Sequence, residues 1–528
     1  MRIRTTGTRI GLVAVTALVL AGAGCGGSSG GGGSSGNGGS SAAGKPQYGG
    51  SVVIDRVADS QSMDKTTVFD NESIWVFEQI MEPLYTVSKD GKDVEPWLAT
   101  SYTLSPDKKT YTFKLRPGVK FSNGQPMTSA DVKFSIDAAR VEDQGWGFID
   151  VAIKDIEAPD PETVVIHTKY PWSPFLADIA LFANGIIPKD YGGETKKEFY
   201  THPVGTGPFM WDHWDKGNEL VLKKNPNYWQ KGKPYLDSVT WRTVADDNTR
   251  ELQLQGGQSQ VDEFPPFQTV DKLENTPGVK MTLFNSTRTD YMMMNERYAP
   301  LADVHVRRAI SLAIDRQSMV KSVLFGHGEP ANSFMPPQVP YYDKNSPGLQ
   351  FNLDQAKQEM AQSKYPNGFT VEMLLGKGTE QEQAQGQIIQ QELQPLGIKV
   401  TFRQVDPSTE FSLEQEFKYQ LGFSYWTMDI ADPDELVTFA VDPGSGAKSF
   451  YTDYSNPDVI KWTHQAEHEF DTAKRQDLYS KIQAQAANDA FMAFLFYSPY
   501  RYAYTDKLNG FYVYPTGNYH MEDVWLSK

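Results

Sequence analysis

An alternation of apolar and polar residues early in the chain predicts the strands of a half-buried sheet. The segment 110–115 reads Thr-Tyr-Thr-Phe-Lys-Leu, the period-two pattern of a strand with one face in a core. A Pro-Gly turn follows, the alternation resumes at 119–121, and an Asn-Gly pair closes it. Residues 128–131 then have the pattern of a capping box that opens a helix. Together these elements predict a small α+β unit within residues 85–170.

A second pattern, between residues 369 and 405, alternates strand and helix. Residues 369–375 form an apolar segment typical of a strand, 381–394 are typical of a helix, and 398–405 form a second strand. A Pro-Leu-Gly sequence breaks the helix before the last strand. Such a βαβ unit belongs to a parallel or mixed sheet covered by helices. With a first strand expected at 51–54, the predicted fold class is α/β.

A further helix is predicted to begin after Asp303, which is an acceptable N-cap. The helical period places one set of side chains toward a core: Val306, Ile310, Ala313 and Ile314. The same period places the basic side chains in solvent: Arg307, Arg308 and Arg316.

The first 24 residues have the pattern of an export signal. Arg2, Arg4 and Arg9 precede the apolar stretch Ile10–Leu20, and small residues then lead to Cys25. The apolar stretch is shorter than the roughly 20 residues that a membrane span requires. We therefore expect the protein to be exported.

Cys25 is the only cysteine of the chain, so it cannot form an internal disulfide. Its place after small residues resembles a bacterial lipobox, which predicts a lipid-anchored protein that begins at Cys25. Gly22 departs from that pattern, and Ala21-Gly22-Ala23 also fits an ordinary cleavage site that would leave a soluble exported protein. The Gly- and Ser-rich segment 25–46 that follows is predicted to be a flexible tether.

Charge and composition exclude several classes of protein. The net charge is −16, and without the three leader arginines 47 basic residues face 66 acidic ones, a net charge near −19. Nucleic acid and anionic membranes are therefore not expected as partners, because both need a positive surface. Eight histidines and no supported nucleophile motif also argue against an enzyme, and no cofactor is expected.

The segment from Trp426 to Asp434 reads as a strand end that runs into a turn. Trp426 and Asp429 place an aromatic ring and a carboxylate three residues apart, a pair suited to a ligand with an apolar body and a cationic end. Asp432 and Asp434 flank Pro433 and are interpreted as turn formers.

Several segments of the chain resemble one known family, the large substrate-binding proteins of bacterial ABC importers for peptides and nickel. The resemblance extends over residues 48–505, and each segment alone is weaker evidence than the ordered set. The segments are, in chain order, Ile80–Leu84, Pro96–Ala99, Thr110–Phe121, Asn123–Thr128, His202–Phe209, Asn225–Trp229, Asp303–Arg316 and Gly328–Ala331.

The resemblance implies a two-lobed periplasmic-binding-protein-like fold with the ligand in a cleft between the lobes. The first lobe would comprise 47–84, 171–280 and 493–528, the second lobe 281–492, and the extra α+β domain 85–170. The implied protein is a monomer that captures a small solute and delivers it to an ABC permease. A ligand-sensing adaptor on the same fold is an alternative.

In peptide-binding relatives an aspartate at the position of Asp429 holds the α-ammonium of the peptide, so the resemblance implies this role for Asp429. Capping of the turn before Pro433 is the alternative. Trp426 would stack on or cover the ligand, unless it fills the core. Trp146 and Phe148 in the extra domain are further candidates for ligand contact.

The ligand class is narrowed by what the chain lacks. Dipeptide-specific relatives carry an arginine at the start of the helix expected near residue 381, and no arginine lies between Gly376 and Lys399. The resemblance therefore implies an oligopeptide more than a dipeptide, with an oligosaccharide as the alternative.

His464 and His468 have a spacing that could hold a metal, but a surface helix is the preferred interpretation and no metal is expected. Residues 205–208, Gly-Thr-Gly-Pro, are expected to form a structural turn.

Overall fold

Strands and helices alternate along the described part of the chain. The computed structural model describes residues 45–140, 145–346, 348–377, 380–444 and 450–528, and residues 45–528 form one compact unit. The predicted export signal, Cys25 and the tether up to residue 44 lie outside the described residues. None of the described helices is long and apolar enough to cross a membrane.

The strands of the described residues are numbered here in chain order. They are β1 Ser51–Arg56, β2 Tyr85–Val87, β3 Val94–Pro96, β4 Ala99–Leu104, β5 Thr110–Leu115, β6 Ile153–Asp160, β7 Thr163–Thr168, β8 Phe209–Asp215, β9 Glu219–Lys224, β10 Ser238–Thr243, β11 Val261–Glu263, β12 Val279–Phe284, β13 Thr289–Met294, β14 Glu329–Pro330, β15 Thr370–Gly376, β16 Lys399–Val405, β17 Leu421–Trp426, β18 Met492–Tyr497, β19 Tyr500–Thr505, β20 Leu508–Asn509 and β21 Trp525–Leu526.

The α-helices are numbered in the same way. They are α1 Asn71–Phe77, α2 Ser129–Arg140, α3 Phe175–Ile179, α4 Lys196–Phe199, α5 Asp247–Gln255, α6 Val270–Glu274, α7 Ala299–Ala302, α8 Val304–Ala313, α9 Arg316–Val323, α10 Leu353–Gln362, α11 Glu380–Leu393, α12 Pro407–Gln415, α13 Asp434–Val441, α14 Pro457–His468 and α15 Thr472–Asp489.

Two large mixed sheets form the cores of the two lobes. The first has the strand order β12-β19-β11-β1-β10-β9-β8, and the second has the order β14-β18-β13-β17-β15-β16. The strand expected at 51–54 is β1, which lies at the centre of the first sheet between parallel neighbours β10 and β11. The expected βαβ unit is β15-α11-β16, and its two strands pair in parallel over seven residues. The predicted α/β fold class is confirmed.

The predicted α+β unit contains a four-stranded antiparallel sheet of order β4-β5-β7-β6. Strand β5 buries Tyr111, Phe113 and Leu115, whereas Lys114 is exposed, so the alternation was interpreted correctly. Helix α2 begins at Ser129, and the carboxylate of Asp131 accepts hydrogen bonds from the backbone and hydroxyl of Thr128. Beyond β5 the alternation yields only an isolated bridge between Lys120 and Pro126 instead of a strand.

A two-stranded crossing connects the two large sheets. Strand β12 pairs with β19 in the first sheet, and the continuing strands β13 and β18 pair with each other in the second. Where the chain crosses, the Ser286 hydroxyl donates a hydrogen bond to the carbonyl of Ser498, and the Ser498 hydroxyl donates one to the carboxylate of Asp290. The side chains of the crossing thus tie its two segments together at the boundary between the sheets.

Two of the three arginines expected in solvent are buried, which corrects the prediction. Arg307 and Arg316 are 4% and 6% exposed. Arg307 donates to the carbonyls of Leu301 and Asp489, and Arg316 donates to the carbonyl of Phe494. The guanidinium group has five donors and can therefore satisfy several backbone oxygens at once. The prediction was wrong because it assumed that a charged side chain on a helix faces solvent.

The Gly-Thr-Gly-Pro segment is a structural turn, as expected. A Cβ atom at Gly205 would lie 2.0 Å from the carbonyl oxygen of Ile80, and one at Gly207 would lie 2.4 Å from that of Gln79. Gly207 also donates its amide to the carbonyl of Ile80. The glycines therefore allow the backbone to pass directly over the segment that follows α1.

Candidate ligand-binding site

Trp426 is the last residue of β17, and Asp429 follows three residues later. Strands β15 and β17 run parallel, so their carboxyl ends meet at the same edge of the second sheet. Ligands of open α/β sheets bind beyond this edge. The motif found in the sequence therefore lies where this fold class places its ligands.

Glu435, at the start of α13, fixes the shape of this motif. Its carboxylate accepts a hydrogen bond of 3.2 Å from the indole nitrogen of Trp426 and one of 3.0 Å from the backbone nitrogen of Asp429. One carboxylate thereby sets both the orientation of the ring and the path of the turn. The Asp429 carboxyl group also lies near that of Glu435, whose charge raises the pKa of Asp429.

Asp429 lines a small cavity of about 30 Å³, which has room for one or two water molecules. Of the residues that line it, only Asp429 comes from the turn after β17. The others come from the end of α1 and the chain after it, from β2 and the residue after β3, from the end of α3, from the residue before β8 and from the C-terminal segment. They are Glu78, Gln79, Met81, Glu82, Pro83, Thr86, Val87, Trp97, Ala180, Pro208, Asn518, His520 and Glu522.

The cavity is strongly acidic, and only some of its carboxylates have partners. Glu82 accepts hydrogen bonds from Thr206, Trp97, Trp229 and Tyr228. Glu522 lies 3.4 Å from the imidazole of His520.

Glu78 accepts one hydrogen bond, from Asn518, and its second carboxylate oxygen is buried with no hydrogen-bond partner. Within the described residues, neither Glu78 nor Asp429 forms an ion pair with a side chain.

The pKa values of these buried acidic groups are raised. Burial raises the pKa of Asp429 well above its ordinary value, and repulsion from Glu435 and Glu78 raises it further. Burial likewise raises the pKa of Glu435 to about 7 and that of Glu78 to about 7. A charged group taken out of water is stable only with a partner of opposite charge or in its neutral form. The site therefore favours either protons or a ligand cation.

An aromatic wall adjoins the acidic groups. The ring of Trp426 packs on Phe439 and Phe450, with centroids 5.1 and 5.0 Å apart. Phe148, from the other side of the cleft, packs on Phe439 at 4.6 Å. Phe439 and Phe450 are buried, so these rings form a packed aromatic cluster.

Of the four predicted ligand-binding residues, only Asp429 lines the cavity. Trp426 and Phe148 are half-buried and do not line it, so their role in ligand contact stays a prediction. Trp146 is 2% exposed, and its indole donates a hydrogen bond to the carbonyl of Val68. Its contacts are those of a core residue, and its role in ligand binding stays a prediction.

Of the neighbouring aspartates, Asp432 has structural partners, whereas one carboxylate oxygen of Asp434 is buried without a hydrogen-bond partner. Asp432 accepts a hydrogen bond from the amide of Asp434, as expected of a turn former, and also forms a buried ion pair with Arg475 at 2.7 Å. His464 and His468 lie on α14, where His468 contacts the carbonyl of Pro171.

Glu435 and Glu78 were not identified from the sequence. Glu435 lies six residues beyond Asp429, and the acidic start of a helix is too common to single it out. Glu78 is about 350 residues away in the chain, and nothing in its local pattern marks it.

Two lobes joined by a two-stranded crossing, with a cleft between them, define the class of bacterial solute-binding proteins. The chain matches the family model described as bacterial extracellular solute-binding proteins, family 5 Middle, over residues 93–448. The chain belongs to this family, whose members bind solutes for ABC importers and are not enzymes.

Curated relatives and solved structures agree with this assignment. The glutathione-binding protein GsiB of Pectobacterium atrosepticum is 31% identical over 476 residues, which is 88% of this chain and 92% of that protein. The periplasmic binding protein DppA of Helicobacter pylori, in complex with peptide STSA, has a TM-score of 0.82 at 28% identity and covers 91% of this chain and 99% of its own. The oligopeptide-binding protein AppA of Bacillus subtilis, in complex with a nonapeptide, has a TM-score of 0.80 at 25% identity and covers 92% of this chain and 100% of its own.

We predict that Glu435→Ala loosens the turn at Asp429. The substitution leaves the Trp426 indole and the Asp429 amide without an acceptor, so the free energy of unfolding should fall by about 2 kcal/mol. Hydrogen exchange at the Asp429 amide, measured by mass spectrometry, should become faster. The exposed Glu416 is the control, and Glu416→Ala should leave both quantities nearly unchanged. Unchanged exchange at Asp429 in Glu435→Ala would contradict the assignment.

Proposed function

We propose that this protein captures peptides with a free N-terminal ammonium group and delivers them to an ABC permease. The observation that carries the proposal is the cavity lined by Asp429 and Glu78, neither of which forms an ion pair among the described residues. A peptide ammonium supplies the positive charge for such a pair. The names of the glutathione-binding and peptide-bound relatives support the same ligand class.

The position of the two acids also gives a mechanism of closure. Asp429 belongs to the second-lobe side of the cleft, and Glu78 lies at the end of α1 on the first-lobe side. An ammonium held by both contacts the two lobes at once, so its binding favours the closed arrangement over an open one. The crossing at residues 284–289 and 497–500 is the proposed hinge.

We further propose a ligand longer than a dipeptide. The start of α11, where dipeptide-specific relatives carry an arginine, here bears Glu380 and Glu382. Burial raises the pKa of Glu410 to about 7 and that of Glu414 well above its ordinary value, and repulsion from the nearby Glu382 raises both further. A group of acids offers a ligand carboxylate no positive charge to pair with, so we propose that the C-terminus of the peptide lies elsewhere.

The remaining parts of the proposal concern the surroundings of the protein. We place it outside the cytoplasm as a monomer, anchored to the outer face of the membrane by a lipid on Cys25. The export pattern of the first 24 residues and the flexible composition of the tether support this arrangement.

Native mass spectrometry of the purified protein tests the ligand class. We expect copurified masses that fragment as peptides of three or more residues. Adducts spaced by hexose units would contradict the peptide proposal and favour oligosaccharide binding, in which case Asp429 would accept hydroxyl groups. Copurification of the permease with the loaded protein would separate transport from sensing.

Asp429→Asn tests the ammonium contact. We expect the affinity for the tetrapeptide Ser-Thr-Ser-Ala or for glutathione, measured by calorimetry, to fall by about 2–4 kcal/mol, or about 30-fold to several hundredfold. N-acetylated peptides lack the ammonium and should bind the wild type as weakly as the free peptides bind the variant. Affinity within about threefold of wild type would refute the role of Asp429.

The binding of an ammonium should depend on pH. Because the raised pKa values keep a proton on Asp429 and Glu435, the incoming cation has to displace it, and affinity should weaken as pH falls below about 7. Calorimetry in buffers of different ionisation enthalpy should detect the released proton. Asp429→Asn should flatten this dependence, and an unchanged slope would contradict the coupling.

Cys25→Ser tests the lipid anchor. The lipid is attached to the thiol, so the variant should move from the membrane fraction to the soluble fraction, as followed by immunoblotting. The control is Ser28→Ala, in the same tether, which should keep the membrane location. Unchanged retention of Cys25→Ser would refute the anchor.

A further inference from the structure

A second group of potential ligand atoms lies on the four-stranded sheet and shares no residue with the cavity. Asp155 and Glu157 are on the edge strand β6, and His167 is on β7 directly opposite Asp155. One ligand atom from each of the three lies within 4.8 Å of the others, and among the described residues no other set of three does so.

The geometry of this group fits a metal ion. Nε2 of His167 lies 3.6 Å from an oxygen of Glu157 and 3.9 Å from an oxygen of Asp155. With metal–ligand bonds of about 2.1 Å, a tetrahedral ion separates its ligand atoms by about 3.4 Å. Small side-chain rotations therefore bring the three atoms to coordination distance.

The other nitrogen of His167 is held by a neighbour. Thr110, on β5 and opposite His167, places its hydroxyl 3.1 Å from Nδ1. When this hydroxyl accepts a hydrogen bond from the protonated Nδ1, Nε2 carries the lone pair, which is directed at the space between the carboxylates. Metal-binding histidines are commonly oriented in this way by a group on the opposite nitrogen.

The convergence on one nitrogen distinguishes this group from other acidic histidine clusters of the protein. His213 contacts Asp212 through Nδ1 and Glu219 through Nε2. Those two carboxylates lie on opposite sides of the ring and cannot bind the same ion. Lys154 approaches Asp155 at 3.5 Å, but through the other carboxylate oxygen and at an exposed position, where ion pairs contribute little.

We propose that His167, Asp155 and Glu157 form a binding site for a divalent transition-metal ion such as Zn²⁺. One imidazole and two carboxylates suit zinc and its neighbours better than Mg²⁺ or Ca²⁺, which prefer oxygen ligands alone. Three protein ligands leave one tetrahedral position open for water or for a donor atom of another molecule. The side chains are 29%, 44% and 62% exposed for His167, Asp155 and Glu157, so the ion can enter from solvent.

The test is a calorimetric titration of the purified, chelator-treated protein with Zn²⁺. We expect one site whose affinity falls at least 100-fold in His167→Ala, and about 10-fold or more in Thr110→Val, because the latter removes only the orienting contact. His213→Ala is the matched control and should bind as the wild type does. Any zinc bound by Cys25 is common to all variants and cancels in the comparison.

A spectroscopic measurement completes the test. Co²⁺ in place of Zn²⁺ should give visible absorption in the wild type and in His213→Ala but not in His167→Ala. Circular dichroism should show that all variants are folded. Equal zinc isotherms for wild type and His167→Ala, or an equal loss in His213→Ala, would overturn the proposal. A folded His167→Ala variant that still binds peptide would separate this site from the cleft.

Discussion

The need to neutralise buried carboxylates is the constraint that organises the cleft. Where the chain itself supplies the partner, the arrangement is fixed: Arg475 holds Asp432, and four donors hold Glu82. Asp429 and Glu78 differ, because neither forms an ion pair among the described residues and one oxygen of Glu78 is buried without a hydrogen-bond partner. Closure of the lobes around them is costly unless a proton or a ligand supplies the charge.

Carboxylates that are paired within the chain maintain the structure, whereas Asp429 and Glu78 are the candidates for ligand binding. Glu435 contributes to both, because it accepts the bonds that shape the turn and also repels Asp429. The result is a carboxyl group held in a fixed place and kept short of a partner. Such a site favours an ammonium, since a neutral ligand gives no electrostatic gain for displacing the proton that Asp429 carries without a ligand.

Local patterns in the sequence predicted much of the fold, because period and turn chemistry act over a few residues. The β15-α11-β16 unit and β5 agree with their patterns nearly residue for residue. Arg307 and Arg316 do not, because their burial depends on carbonyls supplied by distant segments. The same reason explains the site: Trp426 and Asp429 form a local motif, whereas Glu78 reaches them only through the tertiary fold.

The same charge arrangement that favours closure with a ligand also favours release. The crossing between the sheets involves only two short segments, so opening the lobes need not disturb either sheet. Once the cleft opens, water solvates Asp429 and Glu78, and the free energy gained from pairing them with a cation falls by a large factor. In the proposed transport role, a permease that holds the lobes apart would therefore weaken the ligand contact without touching the ligand. In this arrangement the affinity belongs to the closed state alone, which is what a carrier that must also release its ligand requires.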